Sequence, residues 1–328
     1  MHRPDLFAQL DSFSKSLPKK IGKYLFLQEL GKGGFSRVYL ARSEQYSYLF
    51  VAKVVPSVCI GNGVVSDRDF LCELQHSNII SLFDSFDSGE YHVIVMENCP
   101  NHSIKRFIKS SGFRDKKSVP FYLYQISKAF AFIHSKKIAH RDIKPSNILI
   151  DSYLRPKIID FGIAIRSIPG KLESVFSGSQ PYSAPEVLNE DPHDVFKADV
   201  WSLGVTFYVL SVGQLPWPQH PQKVMLSCIN QGNFQCPKTM NVNLANLIQN
   251  MIVVEPELRY TMEQVVDSPF FASYNLPKSS SEFSVLKSKK GTVPIAVYAK
   301  HRKGPSMISK AHSTFAILEE NSEKGSDE

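Results

Sequence analysis

Between Ile21 and Glu97 the apolar residues come in short runs, KYLFLQEL, RVYLARS, SYLFVAKVVP, IISLFDSF and YHVIVMEN, each bounded by Gly, Ser, Asp or Glu. β-Branched and aromatic residues in runs of that length predict strands joined by turns, hence a small antiparallel sheet. One helix is expected inside it, at SDRDFLCELQH, where Ser66 is an N-cap candidate and Phe70, Leu71 and Leu74 share a face. After NCPNHS the pattern lengthens to helix size, as in SVPFYLYQISKAFAFIHSKK with Pro120 near its first turn, and again over 200–212 and 244–254. The change of period divides the chain into two lobes of an α+β fold. A β-rich N-lobe spans 21–97 and a larger, mainly helical C-lobe spans 98–273.

Composition bounds what this unit can do. With 43% hydrophobic and 21% charged residues in 328, the chain is an ordinary globular protein. Its surplus of +7 is dispersed, so no nucleic-acid partner is expected. Five cysteines without a C-x-x-C pair exclude the usual zinc spacing and suit reduced thiols in an intracellular protein, cytoplasmic or nuclear. Residues 1–20 read as an N-terminal extension without the apolar core of a secretory signal. The longest apolar run, Val200 to Trp217, is too interrupted to span a bilayer of roughly 30 Å and predicts a buried helix rather than a membrane segment. Residues 274–328, rich in Ser and Lys and ending acidic, read as a mostly flexible tail and a candidate regulator, with a short ordered piece at TVPIAVYA.

The motifs that carry chemistry lie in a fixed order. A hairpin, LGKGGFSRVYLA, holds Gly31, Gly33 and Gly34; a strand rather than a helix follows, which excludes a dinucleotide-binding turn. Lys53 ends VAK, and IAHRDIKPSNILID carries Asp142, Lys144 and Asn147. Asp160-Phe161-Gly162, SAPEVL and KADVWSLG complete the series. Together these resemble the eukaryotic protein kinase family over residues 21–273, most of all its calmodulin-dependent and AMP-activated group. The resemblance implies a bilobal kinase fold that transfers the γ-phosphate of ATP, with Mg²⁺, to Ser or Thr hydroxyls of protein substrates.

Residue roles follow from the resemblance alone. Lys53, Asp142 and Lys144 would be catalytic: Lys53 on the α- and β-phosphates, Asp142 on the acceptor hydroxyl, Lys144 on the γ-phosphate. Asn147 and Asp160 would hold Mg²⁺. Gly31, Gly33, Val38, Ala52, Glu97, Cys99 and Leu149 would line the nucleotide site, with Met96 at the hinge. Asp67, Asp199, Glu186 and Arg259 would be supports, Asp199 accepting from the catalytic-loop backbone and Arg259 pairing with Glu186. Leu71, Leu82, His140 and Phe161 would stack as a spine.

Three departures qualify the resemblance. Ser36 stands where the loop's third glycine is usual, so retuned nucleotide binding is expected. Asp67 stands where a glutamate usually pairs with the strand lysine, and is shorter by about 1.5 Å of reach. Either it makes a shortened ion pair with Lys53, or it is only a charge at a helix start. Val175 replaces the usual phosphorylated threonine, so either Ser174 or Ser177 substitutes before Arg141, or the segment orders without phosphate. The rival from another class is a pseudokinase scaffold in which Ser36 and Asp67 have abolished catalysis. Ile163, after Asp160-Phe161-Gly162, implies a preference for threonine acceptors.

Overall fold

The computed structural model describes residues 10–33, 36–57, 67–110, 118–174 and 177–275. Helix α1 covers residues 10–15. Strands β1 (Lys19–Ile21), β2 (Tyr24–Lys32), β3 (Arg37–Ser43), β4 (Leu49–Pro56), β5 (Leu82–Ser88) and β6 (Tyr91–Glu97) form one sheet in the order β1-β2-β3-β4-β6-β5. Every neighbouring pair is antiparallel. Side chains alternate between its faces. One face carries Phe26, Tyr39, Phe50, Ala52, Val54, Val93 and Val95 into a closed core. The other presents Val38, Val51 and Lys53, which directly oppose one another or their neighbours across β3, β4 and β6.

Residues 10–20, read from sequence as an extension, are integral to this lobe. Leu10 and Phe13 of α1 are buried in the outer-face core. Phe13 lies 4.9 Å from the Tyr39 ring, 5.4 Å from Tyr91 and 5.6 Å from Phe26. A sheet face that apolar must be covered, and α1 covers it.

The helix expected over 66–76 is only one turn and a half, α2 (Asp67–Leu71); Ser66 lies outside the described residues. Phe70 and Leu71 nevertheless point into the C-lobe core with Leu74. β5 starts three residues later than the run IISLFDSF suggested. Asn78 and Ile80, flanking Ile79, instead bond the C-lobe, through Ile80 N–H to Ile158 O (2.9 Å) and Ile158 N–H to Asn78 O (2.8 Å).

The C-lobe holds α3 (Ile104–Ser110), α4 (Val119–Ser135), α5 (Pro185–Leu188), α6 (Val195–Val212), α7 (Gln222–Asn230), α8 (Val242–Met251), α9 (Met262–Val266) and α10 (Ala272–Asn275). In α4, Leu123, Ile126, Phe130 and Ile133 recur at helical spacing and are buried. The apolar run read as 200–217 becomes α6, shifted toward the N-terminus. Asp194 caps it by accepting from Phe196 N (2.8 Å) and Lys197 N (3.3 Å), and Gly213 ends it in the left-handed region at φ 94°. α6 is long and apolar enough to cross a membrane, but most of it is buried inside the protein. Gly204 permits its close contact with α8, since a Cβ there would lie 2.8 Å from Met251 Cβ.

Three short strand pairs shape the loops: β7 (Ile138–Ala139) with β10 (Ile165–Arg166), β8 (Ile148–Ile150) with β9 (Pro156–Ile158), and β11 (Leu172–Glu173) with β12 (His193–Asp194). Residues 140–147 therefore emerge between β7 and β8, and 159–164 between β9 and β10. The tail beyond residue 275, TVPIAVYA included, lies outside the described residues.

Candidate active site

Asp199, buried in the first half of α6, organises the 140–147 loop. Its Oδ2 accepts from His140 N (2.7 Å) and His134 Nε2 (3.0 Å), and its Oδ1 from Arg141 N (2.8 Å). These bonds hold Arg141 at φ 68°, outside the regions a non-glycine residue prefers. His140 Nε2 donates to Ile159 O (3.0 Å), and its Nδ1 accepts from Asp142 N (3.3 Å). The His140 ring lies 5.0 Å from Phe161, and Phe161 lies 6.4 Å from Phe70. Leu71, with half-buried Leu82, packs in the same core.

The Asp142 carboxylate is held from three sides. Asn147 Nδ2 donates to its Oδ2 (2.9 Å) and its backbone O (2.8 Å), Ser179 Oγ donates to its Oδ1 (2.9 Å), and Lys144 Nζ lies 3.1 Å from Oδ2. Lys144 also donates to Ser179 Oγ at 2.8 Å. Gly178 makes this approach possible: it sits at φ 102°, where a Cβ would be 2.5 Å from Arg141 O. Ser179 was not singled out by sequence, although it stands seven residues before Glu186 in GSQPYSAPE.

Lys53 lies between two carboxylates, 2.5 Å from Asp67 Oδ2 and 3.0 Å from Asp160 Oδ1. The shortened ion pair therefore forms, although Asp67 is also the first residue of α2. Burial would depress the Lys53 pKa, but the charges of Asp67 and then Asp160, with their hydrogen bonds, hold it above the ordinary lysine value. Burial likewise would raise Asp160, and the Lys53 charge outweighs it, keeping that carboxyl below its usual range. Asp67 reaches Lys53 with one oxygen; its Oδ1 is buried without a hydrogen-bond partner among the described residues. Ile159 N–H donates to Asn147 O at 3.0 Å, which ties the Asp160 turn to the Asp142 loop.

On the nucleotide side one assignment is corrected. Ala52 pairs across from Tyr39 and Val95 and is fully buried in the outer-face core, away from Lys53. Val51, two residues before Lys53, shares the lysine's face with Val38, Leu40 and Met96. Gly31 pairs with Val38, and Gly33 N–H donates to Ser36 O at 2.9 Å. Ser36 itself is buried, its Oγ occupying the space a Cβ on Gly33 would need. Glu97 turns its side chain to Lys157 (2.6 Å) and Ser81 N (2.9 Å), an anchor for the hinge that the sequence reading missed. Cys99 is buried at the same hinge, and burial pushes its thiol pKa up. Leu149, in β8, is half-buried against the C-lobe core.

Farther from the cleft, Arg259 forks onto Glu186 (2.7 and 3.1 Å). In the activation segment, Val175 lies outside the described residues, Ser174 is exposed, and Ser177 lines a small cavity with Arg141, His193 and Ser202. Burial depresses the Arg141 pKa, while Asp199 and Glu173 act against it. Glu173 thus supplies negative charge near Arg141.

A family model described as the protein kinase domain matches residues 24–271. The chain belongs to the protein kinase family. Among curated relatives, sperm motility kinase 2B of Mus musculus is 33% identical over 249 residues, covering 76% of this chain and 51% of that protein. Probable serine/threonine-protein kinase MARK-A of Dictyostelium discoideum is 30% identical over 260 residues (77% and 24%). Serine/threonine-protein kinase PLK4 of Danio rerio is 29% identical over 265 (78% and 28%). The chain thus spans about half the length of the sperm motility kinases it matches.

The donor set of this kinase domain fits Mg²⁺. That ion takes one or two carboxylates and completes its shell with phosphate oxygens and water, rather than an all-protein cage. Asp160 offers a carboxylate, and Asn147, whose nitrogen is committed to Asp142, leaves its amide oxygen as a donor. Among the described residues no group of three His, Cys, Asp or Glu forms a separate metal cage.

The one-oxygen contact of Asp67 leads to a prediction. Asp67→Ala should lower kcat/KM for ATP by roughly 10- to 100-fold, because Lys53 keeps its charge but loses one of the two carboxylates that aim it. Steady-state kinetics at varied ATP would check this; unchanged kcat/KM would reduce Asp67 to a helix-start charge.

Proposed function

We propose that the chain transfers the γ-phosphate of ATP to serine and threonine hydroxyls of protein substrates. The observation that carries this reading is the Asp142 carboxylate, fixed by Asn147, Ser179 and Lys144 and tied through Ile159 to the Asp160 turn. A positioned carboxylate beside a lysine suits phosphoryl transfer, where catalysis is chiefly positioning and charge neutralisation. The acceptor oxygen attacks the γ-phosphorus, its proton passes to Asp142, and the bond to the β–γ bridging oxygen breaks to release ADP. Lys144 neutralises charge on the transferring phosphoryl group, and Lys53 holds the α- and β-phosphates. Mg²⁺, held by Asp160 and Asn147, would supply further neutralisation of the phosphates. The hinge backbone at Glu97 and Cys99, with Val38, Val51, Met96 and Leu149, would form the adenine site.

Ile163 supports a preference for threonine. The residue is 40% exposed, so it can pack against an acceptor, and its stiff χ1 presents a fixed shape. One methyl contact is worth about 1 kcal/mol, hence a several-fold preference. The test is labelled transfer from ATP to peptides differing only in Thr, Ser or Tyr at the acceptor. Threonine should exceed serine several-fold, with tyrosine unmodified, and Ile163→Phe should reverse the Thr/Ser ratio. Transfer to tyrosine would overturn the class of acceptor, and an unmoved ratio in the variant would remove Ile163 as its selector.

A further inference from the structure

Asp11 of α1 lies outside the region that the kinase family model matches, yet it reaches both arms of the glycine-rich hairpin. Its Oδ1 is 3.1 Å from Arg37 Nη2, at the start of β3, and 3.7 Å from Lys32 Nζ, at the end of β2. The Arg37 side chain is only 5% exposed. Its Nη1 donates to the Ser36 carbonyl (3.1 Å) and, more weakly, to the Gly33 carbonyl (3.4 Å). The same two residues close the turn through Gly33 N–H to Ser36 O. A continuous path therefore runs from the Asp11 carboxylate through one buried guanidinium to both sides of the turn.

The helix that carries Asp11 is itself anchored. Phe13 fills the aromatic pocket on the outer face of the sheet, and the Ser14 hydroxyl donates to Glu29 of β2 and lies 2.8 Å from the Tyr39 hydroxyl of β3. The Arg37 hydrogen bond chiefly keeps the Asp11 carboxyl below its usual range, so it is charged at neutral pH. We infer that α1 is a strap on the glycine-rich hairpin, with Asp11 a positioning residue that sets how the hairpin meets the phosphates of ATP. The inference rests on the ATP reading for its consequence but not for its geometry. A hairpin with Ser36 in place of the usual glycine is held in register by a charge that the kinase family region does not contain.

The experiment compares the full chain with Asp11→Ala and Asp11→Glu in two measurements. In the first, ATP affinity is read by calorimetry at low and high salt. Asp11→Ala should weaken ATP roughly three- to ten-fold at low salt, with the ratio to wild type falling toward one near 1 M, because the Asp11 carboxylate is half-exposed and salt screens its charge. The kcat at saturating ATP should hold within about twofold, and Asp11→Glu should recover most of the affinity. In the second, amide exchange is followed at Gly33 and through β2 and β3. It should quicken in Asp11→Ala while α6 is unaffected. Unchanged exchange at Gly33 overturns the strap, whatever the nucleotide result. Quickened exchange with unchanged ATP affinity overturns the positioning role. If wild type binds no ATP, it is the nucleotide reading that fails, and the exchange arm alone then decides the strap.

Discussion

Asp142→Asn should reduce phosphoryl transfer by roughly 10²–10⁴-fold while ATP affinity stays within about twofold of wild type. The substitution is nearly isosteric, so Asn147, Ser179 and Lys144 keep a partner at hydrogen-bonding distance. What disappears is the acceptor for the substrate proton. An amide cannot take that proton at neutral pH, whereas the binding groups, Lys53 among them, are untouched. Single-turnover transfer and calorimetry on the same preparation separate the two effects. A variant with wild-type turnover would mean that Asp142 orients nothing the reaction needs.

Arg259→Leu should unfold the C-lobe at a much lower temperature. Arg259 is 1% exposed and spends its guanidinium on Glu186, on the carbonyls of Val253 (2.9 Å) and Lys197 (2.9 Å), and on that of Val254 (3.2 Å). It also lies over the Trp201 ring, 5.1 Å from its centroid. Replacing the pair by apolar residues together could be nearly neutral, but removing one partner strands a buried carboxylate and three carbonyls. The expected cost is about 3–5 kcal/mol, or on the order of 10 °C in Tm for a domain of this size. Thermal unfolding followed by circular dichroism measures it directly. A drop of only a degree or two would show that Glu186 and the carbonyls find water when the arginine is gone.

Most of the fold was legible because its signals are local. Strands β2 to β6 follow short runs rich in β-branched and aromatic residues, and α6 carries its own stop signal, Gly213, and its own cap, Asp194. The interrupted apolar run was read to Trp217, with the helix over 200–212, and Trp217 packs back on Trp201 (6.1 Å) from the loop beyond. Ala52 illustrates a failure. Adjacent strand residues point to opposite faces, so the alanine beside Lys53, assigned by resemblance, cannot share the lysine's face, and the position belongs to Val51. Asp67 was placed by the resemblance, and Leu71 one helical turn later on the same face agrees with that position; the contact with Lys53 forms there.

What escaped was tertiary. Nothing in LDSFSK announces that Phe13 will enter a cage made by three separated strands, or that Asp11 will face Arg37. Ser179 and Lys157 are ordinary residues by type, and only folding brings one to Asp142 and the other to Glu97.

Phosphotransfer by this chain is tested by ATP binding and phosphopeptide formation by wild-type protein, followed together in one sample containing Mg²⁺ and a Thr/Ser peptide library. The arrangement of Lys53, Asp67, Asp142 and Asp160 predicts saturable ATP binding accompanied by ADP release matched one-for-one by phosphothreonine and phosphoserine. Saturable binding with no phosphopeptide, under conditions where an added active kinase modifies the same library, would contradict it and leave a nucleotide-binding scaffold.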